Sequence, residues 1–140
     1  MSSVLFFEKT DRGLLPARSL HSKQIPHLRL GFGRIGDVVR ATDPALNLGE
    51  MLVKQRRFEE AEPVLRDTLR VLRAVHFSEG INRGEMQLAR ILIHRGHYED
   101  AERLLERVQD EFASAGQPVA ALETAAIRAM GKLNAGEPVN

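Results

Sequence analysis

Gly31-Phe32-Gly33-Arg34-Ile35-Gly36 carries the G-x-G-x-x-G spacing, whose glycines let a backbone approach a pyrophosphate held at a helix N-terminus. That chemistry needs a strand before the glycines, a second strand after the helix that follows, and an acidic residue about 20 residues on. A short strand can be drawn at His27 to Leu30, but no second apolar strand follows it; amphipathic helix does. The expectation is therefore a bend between helical units, with nucleotide binding through Gly31 to Gly36 as an alternative. His94 and His97, beside Glu99 and Asp100, are metal-type donors, yet their i, i+3 spacing straddles a turn at Gly96 and no third regular ligand joins them. The chain has no Cys, so a disulfide framework, a thiolate metal site and a cysteine nucleophile are excluded. His21, His27 and His76 are scattered, and Glu59, Glu60, Glu62, Glu99 and Glu102 suit exposed helix faces better than acid/base work. No catalytic residue, cofactor or metal is expected, and the chain is not read as an enzyme.

The elements that would position any site are helical. A chain of 140 residues with 43% apolar residues fits one domain, and with 5% aromatics its core must be built from Leu, Val, Ile and Ala, which favours an all-α class. Charge is uneven: residues 1–42 hold seven Lys/Arg against three Asp/Glu, whereas residues 43–140 hold thirteen against sixteen. The positive charge of the head never forms a run, so neither nucleic acid nor a membrane surface is expected as a partner. Val4 to Phe7 is too short an apolar run for a signal peptide or a membrane span, and a cytoplasmic protein is the expectation.

A 40-residue step dominates the rest of the chain. Leu48-Gly49-Glu50-Met51-Leu52 returns as Leu88-Ala89-Arg90-Ile91-Leu92, Phe58-Glu59-Glu60-Ala61-Glu62 as Tyr98-Glu99-Asp100-Ala101-Glu102, and Leu65 as Leu105. The agreement fixes two helices and the turn between them together. Leu48 and Leu52 stand one turn apart, and the small residue at 49 or 89 admits a neighbouring helix. Gly96 suits the left-handed conformation that ends a helix, the acids at 59, 60, 99 and 100 favour helix N-termini, and Pro63 should bend its helix. Phe32 and Gly36 fall in register with Phe112 and Gly116, which places Arg34 to Asp37 in the same type of bend as Ala115 to Pro118. Helices are expected at about 41–55, 58–75, 79–95, 98–115 and 118–134, the last a half unit without its partner. Residues 1–31 form a basic head outside the repeat and residues 32–138 a repeat domain of about two and a half units.

The pattern Leu48-Gly49, Leu52, Ala61, Leu65 and its copy Leu88-Ala89, Leu92, Ala101, Leu105 resembles the tetratricopeptide repeat in a form with extended second helices. Asn47 to Glu50 and Phe58 to Asp67 are also similar to the repeat arms of bacterial signalling ATPases, nucleotide cyclases and transcription regulators. The usual early aromatic of the first helix is absent, and Arg73 stands where a helix-final Pro is common. The resemblance implies a short right-handed α-solenoid that works as a protein-interaction scaffold, or as a regulatory arm derived from a larger regulator. It also implies a partner groove lined by the first helix of each unit: Leu46, Glu50, Val53 and Lys54, then Arg83, Met86, Arg90, Ile93 and His94. Leu46 and Glu50 do not reproduce the Lys and Asn clamp of chaperone-binding members. Met86 and Ile93 beside Arg83 and Arg90 suit a protein or peptide segment that is partly apolar and partly acidic, and exposed repeat ends suit self-association.

Overall fold

The computed structural model describes residues 35–136. All regular structure among them is helical: α1 (Ile35–Lys54), α2 (Phe58–Ala74), α3 (Ser78–His94), α4 (Tyr98–Ser114) and α5 (Pro118–Asn134). The expected all-α helix-turn-helix repeat is what the chain forms. The basic head and residues 31–34 of the glycine motif lie outside the described residues.

The last four helices are each 17 residues long and begin at Phe58, Ser78, Tyr98 and Pro118. The 40-residue repeat is thus a 20-residue step taken twice, and the turns show why. Arg56, His76, Gly96, Gly116 and Gly136 all have positive φ, between 58° and 84°. At His76 the backbone N–H donates to the Arg73 carbonyl at 3.1 Å and the next N–H, of Phe77, donates to the Leu72 carbonyl at 3.0 Å. The same pair of bonds closes α1 at Arg56 and Arg57, α3 at Gly96 and His97, and α4 at Gly116 and Gln117. This left-handed cap satisfies carbonyls that a helix end leaves over, and reverses the chain within three residues.

The first helix departs from expectation. It runs from Ile35, not from about residue 41, and passes through both Gly36 and Pro44. Gly36 is therefore helical and is not the counterpart of Gly116, whose φ is 76°. The apolar spacing outweighs the two breakers: Thr42, Ala45, Leu46, Gly49, Leu52 and Val53 are all buried, and Thr42 donates its hydroxyl to the Val39 carbonyl at 2.6 Å. Pro44 removes one backbone donor, and the carbonyl it would have served belongs to exposed Arg40, where water can replace it. Pro63 is likewise carried within a continuous α2.

The chain divides into two compact units between Gly84 and Glu85, inside α3. In the first unit α1 packs along α2, and the contact is a row of leucines set against glycines. A Cβ added to Gly49 would lie 2.5 Å from Leu65 Cδ2, and one added to Gly84 would lie 2.8 Å from Leu69 Cδ2. Leu65, Leu69 and Leu72 are wholly buried. Leu48, expected on the same face as Leu52, is instead exposed while Leu52 is buried; the core-facing stripe of α1 runs through residues 46, 49 and 53. In the second unit α4 packs along α5, and Met86, Ala89, Ile93, Ala101, Leu105, Val108, Phe112 and Ile127 form one core cluster. Thr124 is buried in that unit, its hydroxyl donating to the Ala120 carbonyl at 2.8 Å.

Candidate functional site

The nine residues expected to line a groove separate by burial. Leu46, Val53, Met86 and Ile93 are buried, and the last two sit in the core cluster of the second unit. Glu50, Lys54, Arg83, Arg90 and His94 keep solvent access. The buried four build the packing of the helices, and the other five are accessible to solvent.

In the first unit, the start of α3 is tied to α1 through Arg83. Its guanidinium donates to Glu50 Oε2 from Nη2 at 2.9 Å and from Nε at 3.1 Å, and Nη2 also reaches Asn47 Oδ1 at 3.2 Å. Such a forked contact fixes the guanidinium plane, which a single ammonium group would not do. Beside it is a cavity of about 220 Å³ lined by Val39, Thr42, Asp43, Leu46, Phe77, Glu79, Gly80 and Arg83. Val39, Leu46 and Phe77 give it apolar wall, while Asp43 and Glu79 bring two carboxylates that form no ion pair among the described residues. Asp43, Glu79 and the aromatic Phe77 were not foreseen. A signal existed for the first of them: Asp43, Asn47, Glu50 and Lys54 recur at i, i+4, i+7 and i+11 along α1, one polar stripe beside the buried one.

The second unit holds its charges in pairs between helices. Arg90 Nη2 lies 3.5 Å from Glu123 Oε2, and Arg107 pairs with Glu85. Arg128 on α5 donates from Nε to Glu102 Oε2 at 3.0 Å and from Nη1 to Gln109 Oε1 at 2.9 Å, both on α4. The hydrogen bond to Glu102 holds the Arg128 guanidinium above its usual pKa, against a smaller opposing effect of burial. These bonds border a second cavity of about 210 Å³ whose lining includes Tyr98, Glu102, Arg128 and Lys132. His94 ends α3 and His97 stands in the turn after it; no group of three or more metal-type donors occurs among the described residues. No helix among them is long and apolar enough to cross a membrane.

Comparison with known families adds to this geometry. Residues 45–76 and 86–108 match the tetratricopeptide repeat family model. The chain has no significant match among curated proteins or solved structures. Each matched segment spans parts of two helices and the left-handed turn between them, at Arg56 in the first and at Gly96 in the second, so these segments are similar to tetratricopeptide repeats.

Proposed function

We propose that this protein is a non-catalytic interaction module that holds a segment of another protein against the face shared by α1 and the start of α3. Tetratricopeptide repeats generally mediate protein–protein contact, and the observation that carries the more specific reading is the cavity beside Arg83, with its apolar wall and two carboxylates. An acidic partner was expected from Arg83 and Arg90, but both guanidiniums already face carboxylates of this chain. Asp43 and Glu79 carry the charge left over. The preferred ligand is therefore a peptide or helix with one apolar side chain for the cavity and a Lys or Arg next to it. The ion pair of Arg83 with Glu50 fixes the guanidinium that lines one side of the cavity.

Selection from a displayed random-peptide library tests this. Enriched peptides should combine an apolar residue with an adjacent basic one, and their affinity should fall about tenfold or more in the double variant Asp43→Lys/Glu79→Lys, whose helicity by circular dichroism stays unchanged. Enrichment of acidic peptides, or equal binding by the charge-reversed variant, would overturn the assignment.

A further inference from the structure

The outer face of α5 is apolar along its whole length. Val119 is 78% exposed, Leu122 70%, Met130 56% and Leu133 65%, and Ala126 between them is exposed as well. Their spacing of 3, 4, 4 and 3 residues places all five on one stripe of the helix. The opposite stripe, through Thr124, Ile127 and Gly131, is the one buried in the second unit. One 40-residue step earlier, the same five positions are Glu79, Asn82, Met86, Arg90 and Ile93, and Asn82, Met86 and Ile93 among them are buried. The stripe that is largely covered on α3 is thus uncovered on α5, where a helix facing water would present a polar outer face.

We propose that this stripe is the seat of a second copy of the same chain, the two α5 helices packing antiparallel about a two-fold axis through Ala126. The stripe is self-complementary. Reversed about Ala126, Val119 falls opposite Leu133 of the copy and Leu122 opposite Met130, so each branched or long side chain meets another while two alanines face each other and let the helices approach. No ionisable group lies in the stripe. The charged residue that flanks it, Glu123, faces Arg90 of its own unit, so closing the interface strands no unpaired charge. The stripe spans roughly 21 Å of helix at 1.5 Å per residue. With both copies and their flanking atoms included, it buries on the order of 1,000 Å², the area at which specific interfaces begin. A weak, reversible dimer is the consequence. This interface is independent of the peptide site on α1 and α3.

The chain lacks cysteine, so single substitutions report geometry cleanly. Ala126→Cys should form a covalent dimer on mild oxidation, because its Cα atoms fall within the 4.4–6.8 Å or so that a disulfide spans. Leu122→Cys alone should stay monomeric, and the double variant Leu122→Cys/Met130→Cys should cross-link. In sedimentation equilibrium from about 1 to 500 μM, wild-type chain should pass from monomer to dimer, and Leu122→Glu should shift the midpoint upward by tenfold or more with unchanged helicity. A wild-type monomer at all concentrations would overturn the proposal, pointing to another segment or protein as occupant. So would a dimer indifferent to Leu122→Glu, or cross-linking of Leu122→Cys by itself.

Discussion

At the scale of single residues, the left-handed turn positions show what the fold requires and what it only tolerates. Three of the five positive-φ residues are Gly, but Arg56 and His76 adopt the same conformation at φ 62° and 58°. An L-residue there is disfavoured by roughly 1–2 kcal/mol through contact of its Cβ with the following carbonyl. His76→Gly should therefore raise unfolding stability by about 1 kcal/mol, the remainder being lost to the greater freedom of Gly in the unfolded chain. Gly96→Ala should lower it by a similar amount, since nothing crowds a Cβ there and the backbone angle alone opposes it. Arg56→Gly should gain less, because the Arg56 guanidinium lies 5.4 Å from the centre of the Phe58 ring and that contact is worth about 0.5–1 kcal/mol at an exposed site. Urea denaturation of the three variants checks the order; a neutral His76→Gly would show that the turn carries no strain. Gly96 was legible as a helix terminator from its type. Arg56 and His76 were not, because neither side chain signals a positive φ and only the repeat places them there.

At the scale of helices, close approach between elements rests on glycine. Gly49 stands in the middle of α1, where Ala would be favoured by about 1 kcal/mol on helix propensity alone. Its Cβ, however, would come within 2.5 Å of Leu65 Cδ2 and 2.8 Å of Leu65 Cγ, and Leu65 is wholly buried and cannot swing aside. Overpacking of this kind costs about 1–3 kcal/mol, so Gly49→Ala should be destabilising by about 1 kcal/mol net. Combined with Leu65→Ala it should cost less than the separate effects together, by a coupling of at least about 0.5 kcal/mol in a double-mutant cycle. Additive effects would place the clash elsewhere. The sequence made this contact readable, since Gly49 and Ala89 are the small members of the repeat and Leu65 and Leu105 its large ones. It made α2 to α5 readable to within a residue or so, because their apolar spacing and turns agree. Two things were hidden. Gly36 resembled the glycine of an inter-unit bend, although α1 carries it. The groove positions were assigned by analogy with the family, and periodicity alone does not tell which flank of a helix such as α3 is buried when Asn82, Glu85 and Gln87 are buried along with Met86 and Leu88.

At the scale of the molecule, burial is distributed unevenly among the helices, and stability against local opening should follow it. Eight residues of α2 are buried, against three of α5. Opening a helix exposes the apolar surface it had hidden, so the free energy of opening falls with the area at stake. Amide hydrogen exchange followed by mass spectrometry at low micromolar concentration should find α5 exchanging first and α2 among the last. The bonds from Arg128 to Glu102 and Gln109 hold α5 on one side only, and they do not protect its outer stripe. At several hundred micromolar the two-fold pairing covers that stripe, and mass action then adds to the stability of α5 alone. Protection in α5 should rise with concentration while that of α2 stays fixed, and Leu122→Glu should abolish the rise. If α5 exchanged as slowly as α2 in the dilute chain, its few buried residues would have to be anchoring it far more strongly than their area allows, and the gradient would be wrong. If the gradient were present but independent of concentration, the burial argument would stand and the α5 pairing would fall.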